Sequence, residues 1–376
     1  MRTYKWILSI FVLSILISCK GTSEEELKGD WQNRCVFSGA QRAFAATFVI
    51  GNDGYVVGGT GGYKALLNDV YKFSHQVGSK DSRGNSKGQW FQLNDFPGRA
   101  RHHAVGFSLY GLGYVGTGLA WDEEGEQDIR RDFWRYNPAD DSWVEVAPLP
   151  EKAKARRNAI AFSLKVGTAE YGYVAFGSTG DADRNVFLTD IWRYDPVKNE
   201  WTEDISGETK RAGAAVFVIN NRAYICNGKN SSTETVTDFS MFDPNASEAD
   251  RWVSLRTMSN ANPDEDYDDD YLGLQRAFGT AYVVWVGSEL RGHIVGGNSN
   301  GSKNWEYDHN EDLWIQRTQF INNGKLSGRE GMISFSFPET GRGYVGLGRE
   351  GSGSAYRDDI WEFVPLVDDY IYDDNK

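Results

Sequence analysis

A chain of 376 residues with 42 Gly, 13 Trp, 19 Tyr and 20 Phe but only 9 Pro has large side chains to bury and many tight turns, which excludes a disordered polypeptide. The formal net charge of −13, with no basic block anywhere, excludes a nucleic-acid binder, because neutralising phosphate needs a basic face. Length alone sets no domain count for an all-β ring, so repeats must decide it.

At the N-terminus Arg2 and Lys5 precede an apolar stretch, Trp6 to Ile17, too short for a permanent membrane span and laid out like a secretory signal. Leu16-Ile17-Ser18-Cys19 is similar to a bacterial lipobox, whose cysteine is diacylated and becomes the new N-terminus. Residues 1–18 are then a signal peptide, Cys19 the lipidation site and residues 19–30 a polar tether, since two acyl chains hold a protein on a bilayer without spanning it. The expected location is the outer membrane, on its periplasmic or cell-surface side. The run Lys20 to Glu26 resembles acidic surface-export tags, and a plain solvated linker is equally open. Cys35 and Cys226 remain in the mature chain, and the repeat map puts them in non-adjacent units, too far apart for a disulfide.

The repeat begins with Arg-x5-[Phe/Tyr]. It occurs as Arg42 with Phe48, Arg101 with Phe107, Arg156 with Phe162, Arg211 with Phe217, Arg276 with Tyr282 and Arg329 with Phe335, at spacings of 59, 55, 55, 65 and 53. Alternating small and apolar residues follow each arginine, as in Ala104-Val105-Gly106-Phe107, which suits an inner strand. A second strand carries an aromatic or His with a Gly four residues on: Tyr55 to Gly59, Tyr114 to Gly118, Tyr173 to Gly177, Tyr224 to Gly228, His293 to Gly297 and Tyr344 to Gly348. A third reads Asp-x-[Trp/Tyr]-x-[Tyr/Phe] from Asp69, Asp132, Asp190 and Asp359, and decays at Asp238-Phe239-Ser240 and Lys303-Asn304-Trp305. A fourth is marked by Trp90, Trp143, Trp201, Trp252 or Trp314.

Four short strands per unit of about 55 residues, with a glycine ending the second and a late Trp, resemble the kelch repeat over residues 31 to 364. True diglycines survive only at Gly58-Gly59 and Gly296-Gly297. The resemblance implies an all-β, six-bladed kelch β-propeller. Its last unit has a third strand at Asp359-Ile360-Trp361 but no late Trp, while Trp31 stands upstream without a repeat, 11 residues before Arg42, as Trp90 stands before Arg101. Residues 31 to 37 are therefore expected to supply the sixth blade's outer strand and close the ring. Residues 365–376 form an acidic tail, expected to be disordered.

Propellers of this kind include a copper oxidase, sialic acid mutarotases and interaction modules, so function must come from the site. The five histidines, His75, His102, His103, His293 and His309, show no convergent metal set, and no nucleophile elbow or phosphate loop is present. No cofactor or metal is expected. The acidic run Asp264 to Asp270 lacks calcium-loop spacing and reads as a solvated loop, and Trp121 to Glu126 is expected to overhang one mouth of the ring. The repeated arginines Arg42, Arg101, Arg156, Arg211, Arg276 and Arg329, with His103, are the candidate ligand-binding residues. Placed alike in every unit, they would ring one mouth and seek carboxylates, or else brace the blades through backbone carbonyls and the third-strand aspartates. Two functions stay open: a lipid-anchored binding or scaffolding module for a protein, acidic peptide or acidic glycan, without catalysis, or a sugar-active enzyme resembling the sialic acid mutarotases, for which Glu330 is the candidate acid or base by its place beside Arg329.

Overall fold

The computed structural model describes residues 27–180, 186–262, 266–322, 325–326, 328–351 and 355–365. Cys19, the signal, most of the tether, Asp264 and Glu265 of the acidic run and nearly all of the tail lie outside them. Among the described residues six antiparallel four-stranded sheets form the blades.

Blade 2 shows the pattern, running from its inner strand Val105–Leu109 through Leu112–Gly116 and Phe133–Asn137 to the outer strand Ser142–Val146. The aromatics that mark the first two strands face each other across the inner pair in every blade: Phe48 and Tyr55, Phe107 and Tyr114, Phe162 and Tyr173, Phe217 and Tyr224, Tyr282 and His293, Phe335 and Tyr344. In blades 1 to 5 these partners stack with ring centroids 4.8 to 5.3 Å apart. The glycine before the second-strand aromatic makes room for the blade before it: a Cβ on Gly113 would sit 2.2 Å from the Phe48 ring. Sequence spacing thus becomes packing between blades, since close-packed interiors leave no slack for an extra methyl.

The ring closes as the orphan Trp31 implies. Strand Asp30–Val36 pairs antiparallel with Asp359–Val364, and Trp31 lies opposite Phe363. The order in blade 6, from inside outward, is Ile333–Phe337, Arg342–Gly346, Asp359–Val364 and Asp30–Val36. Cys35 sits in that closing strand and Cys226 is buried in blade 4; both are free thiols. The two blades whose third-strand motif has decayed still form that strand, at Ser240–Phe242 and Asn304–Asp308, because its outer neighbour and the buried aromatics on it persist.

The channel between the inner strands has a volume of about 460 Å³ and is lined by Ala, Gly, Ser, Thr, Tyr282 and apolar side chains, with no Asp, Glu, His, Lys or Arg among its lining residues. In the described part of the acidic run, Asp268 is buried and its carboxylate accepts the backbone N–H groups of Ala261 and Asn262 at 2.9 and 3.1 Å, so it fixes a loop.

Candidate functional site

The six repeated arginines are inside the protein, none more than 2% exposed. Arg42 pairs with Asp69, Arg101 with Asp132, Arg156 with Asp190, Arg211 with Asp238 and Arg329 with Asp359. The Arg101 fork is representative, with its two NH groups donating to the Asp132 oxygens at 2.7 and 2.8 Å and one also to the Thr117 carbonyl at 3.1 Å. Four of these guanidiniums also lie over a phenylalanine from the preceding blade, Phe37, Phe96, Phe176 and Phe320, at 4.8 to 5.3 Å. Arg276 has Lys303 where the others have aspartate; it donates instead to the carbonyls of Gly273, Leu274, Gly296 and Lys303, and burial pushes its pKa down to about 10. The expectation that Arg42, Arg101, Arg156, Arg211, Arg276 and Arg329 present a carboxylate-seeking ring to a ligand is corrected here: their donors are consumed within the blades and no ligand can reach them. Their ion pairs brace single blades, and the four phenylalanine contacts reach the blade before.

Two residues follow each arginine, and of these Phe44, His102, His103, Phe278 and Glu330 line a cleft at one mouth of the ring. The second of the two is Phe44, His103, Asn158, Gly213, Phe278 or Gly331, and all six have positive φ, between 54° and 67°. That conformation is costly for non-glycine residues and persists only where the surroundings impose it. Here a closed circle of main-chain hydrogen bonds imposes it. His103 N–H donates to the Phe44 carbonyl, Asn158 to His103, Gly213 to Asn158, Phe278 to Gly213, Gly331 to Phe278 and Phe44 to Gly331, at 2.8 to 3.2 Å. A second circle lies beside it, in which the six second-strand glycines, Gly59, Gly118, Gly177, Gly228, Gly297 and Gly348, donate to the carbonyl of the next blade's arginine at 2.5 to 3.0 Å. Each of these glycines has φ near +90° to +107°, and a Cβ on Gly118 would lie 2.8 Å from the His102 carbonyl oxygen, so the close approach requires glycine.

Phe44, His103 and Phe278 form an aromatic floor over the circle. His103 stacks on Phe44 with centroids 3.9 Å apart, and Phe44 meets Phe278 edge-on at 6.0 Å. His103 therefore stands at the mouth, packed in the floor, its Nδ1 2.6 Å from Nδ1 of His102. Burial, then the charges of Arg157 and Arg349, push His102 down to about 4; burial, His102 and the cations Arg157, Arg349 and Lys229 hold His103 well below its ordinary value. The pair is neutral at neutral pH, with one Nδ1 donating and the other accepting.

Above this floor lies a cleft of about 300 Å³. Glu330 and Arg349 form one wall, paired across two short strands, with Arg349 Nε donating to Glu330 Oε1 at 3.1 Å. The Arg349 guanidinium also lies 5.5 Å from the Phe44 ring, and the Lys229 ammonium 5.2 Å from the Phe278 ring. Arg157 is held by Gln127 Oε1 at 3.1 Å. Gln127 belongs to the hairpin Leu119–Trp121 with Gln127–Ile129, which stands over this mouth as expected for the segment around Trp121. Adjacency to Arg329 pointed to Glu330, and the structure brings Glu330 into the cleft, paired with Arg349 and with none of the repeated arginines. Sequence reasoning missed Arg157, Lys229 and Arg349. Their signal was the residue following the repeated Arg or the second-strand Gly, where the repeats disagree: Ala43, Ala212 and Ala277 stand where His102, Arg157 and Glu330 stand. Among the described residues no cluster of His, Cys, Asp and Glu is placed to hold a metal ion.

Six four-stranded blades make this chain a six-bladed β-propeller, and the Arg–Asp staple with the glycine-ended second strand makes its repeats similar to the kelch repeat. No protein-family model matches it. It is similar to the N-acetylneuraminate epimerase of Haemophilus influenzae (strain 86-028NP), with 28% identity over 206 residues, 46% of this chain and 54% of that enzyme. It is also similar to the F-box/kelch-repeat protein SKIP30 of Arabidopsis thaliana, with 28% identity over 131 residues, 33% of this chain and 35% of that protein. The chain thus spans about half the length of the epimerase it matches and about a third of the plant protein. Among solved structures the fold resembles YjhT, with a TM-score of 0.63 over 86% of this chain and 95% of that one at 16% identity.

Proposed function

We propose that this propeller binds an acidic sugar, of the N-acetylneuraminate class, in the cleft above the hydrogen-bonded circle. The observation that carries the proposal is the gathering of Arg157, Lys229 and Arg349 over an aromatic floor, in a protein whose total charge is −13. Cations desolvated in a recess act on a ligand more strongly than the distant net charge repels it. Arginine offers a carboxylate paired N–H donors, and the flat faces of Phe44 and His103 suit the C–H face of a sugar ring. The partial similarity to N-acetylneuraminate epimerases supports the same ligand class. In this proposal Cys19 carries the lipid and the tether displays the cleft at the outer membrane. Calorimetry with N-acetylneuraminate and with neutral N-acetylmannosamine tests the ligand class. Binding of the acid alone, abolished in Arg349→Ala, is expected; equal binding of both sugars, or of neither, defeats the proposal.

A catalytic reading is favoured by one observation, the partly buried Glu330 on the cleft wall, whose bonds from Arg349 both end on Oε1. Interconversion of anomers needs a proton taken from the anomeric hydroxyl and one returned to the ring oxygen, which a positioned carboxylate can perform. Proton NMR of freshly dissolved N-acetylneuraminate measures the rate of anomer equilibration. An acceleration lost in Glu330→Gln with binding retained would establish catalysis, and no acceleration by the parent protein would leave binding as the function.

A further inference from the structure

We propose that the cleft continues into a second sugar subsite, formed by Tyr63 and Trp121, so that its occupant is an acidic sugar at the end of a glycan. This rests on the acidic-sugar reading and narrows it. The cleft of about 300 Å³ is at the small end for a ligand site, and Tyr63 and Trp121 line it together with Glu330 and Arg349, so the unit that follows a bound first sugar would meet these two rings. The lip is aromatic. Tyr63 is 87% exposed on the loop between the second and third strands of blade 1, which buries almost none of a side chain costly to leave in water. Trp121, on the blade 2 hairpin, meets it edge-on with centroids 6.0 Å apart.

The two loops are latched rather than merely near. The Lys64 ammonium lies 4.6 Å from the Trp121 ring and donates to the Gly125 carbonyl at 2.8 Å, tying the Tyr63 loop to the hairpin. Across that hairpin Trp121 pairs with Gln127, the residue that holds Arg157. One hairpin therefore fixes both a cation of the first subsite and an aromatic wall of the second, at a set separation. Rigid aromatic rings with few rotamers to lose, held before the ligand arrives, stack on the neutral sugar that follows a charged terminal one.

The test is calorimetry on the mature protein with N-acetylneuraminate and with the trisaccharide 3′-sialyllactose. The trisaccharide is expected to bind about tenfold tighter than the monosaccharide. Tyr63→Ala should remove that advantage and leave monosaccharide affinity within about twofold, and Tyr63→Phe should keep it. Because Tyr63 is a surface residue, its alanine variant should melt with the parent, which separates this loss from unfolding. Equal affinity for the two sugars in the parent, or an advantage that survives Tyr63→Ala, overturns the second subsite alone. Failure of both sugars to bind overturns the acidic-sugar reading beneath it.

Discussion

Arg34 Nε lies 2.6 Å from Glu362 Oε2, a bond that joins residues 328 apart in sequence across the seam of the ring. Glu362 also accepts both donors of Arg342, at 2.6 and 2.5 Å, and Arg34 reaches Asp81 of blade 1 at 2.7 Å, so one buried carboxylate gathers the seam. Glu362→Gln leaves buried Arg34 and half-buried Arg342 short of their partner and is expected to cost about 3 kcal/mol, read as a lowered melting temperature. Deleting residues through Cys35 should expose the edge of Asp359–Val364 and promote aggregation; a truncated protein that melted with the parent would show that the seam contributes nothing.

Five repeats satisfy their arginine with aspartate and one does not, which allows the staple to be tested in both directions. Asp132→Ala strands Arg101 in blade 2 and is expected to destabilise by about 3–5 kcal/mol. Lys303→Asp supplies Arg276 with the carboxylate it lacks and should raise stability by about 1–2 kcal/mol. Chemical denaturation of the two variants should therefore move in opposite senses, and a destabilised Lys303→Asp would mean that the carbonyls already satisfy Arg276 in full.

Acid sensitivity should arise from histidine before the ion pairs fail. Burial pushes His75 and His293 from 6.5 down to about 4, as burial and nearby arginines do for His102. A group whose folded value is depressed takes up its proton first in the unfolded chain, so this stability is complete above pH 6.5 and is lost as pH falls towards 4. For Asp132, burial is outweighed by the hydrogen bonds and charge of Arg101, which lower its pKa from 3.8 to about 2, so its contribution is lost only below about pH 3.8. Neither ring nitrogen of His75 has a hydrogen-bond partner among the described residues, and the ring stacks on Phe337 at 4.2 Å. His75→Phe should flatten the decline in melting temperature between pH 6.5 and 4, and an unchanged slope would remove His75 from this account.

Acylation at Cys19 is expected from the lipobox-like Leu16-Ile17-Ser18-Cys19. Mass spectrometry of protein from membranes should find a diacylated N-terminal cysteine. Cys19→Ala should release a folded propeller, since the ring closes from Asp30 onward. An unprocessed Met1 would end the proposal.

The ring was legible because its marks are packing demands repeated in every blade. An aromatic facing an aromatic and a glycine at positive φ leave a periodic trace that one sequence can show against itself. Closure was legible for the opposite reason, as a gap in the period filled by Trp31. The arginines were visible for the same periodicity, and that is why their role was the structural one: a feature needed in six blades serves the blades. Arg157, Lys229, Arg349 and Trp121 occur once each, so periodicity hides them, and only the fold shows that positions from blades 1, 2, 5 and 6 line one cleft, with Arg157 and Lys229 of blades 3 and 4 close enough to act on its floor. Glu330 was found by its neighbour in sequence, although its partner Arg349 lies 19 residues on, beyond the strands Ile333–Phe337 and Arg342–Gly346.

The circle of six main-chain hydrogen bonds uses no side chain, so it leaves six sockets whose contents can differ without disturbing the joint between blades. In this protein the contents alternate in size around part of the rim: a Cβ on Gly331 would meet the Phe44 ring at 2.6 Å, and one on Gly213 would meet the Phe278 ring at 2.6 Å. Each phenylalanine leans into space that a neighbouring glycine vacates, and a near-sixfold backbone thereby carries a lopsided floor. Ligand preference in such a ring can drift by exchanging socket residues, and the only toll on a newcomer is tolerance of positive φ, for which Asn158 is already suited.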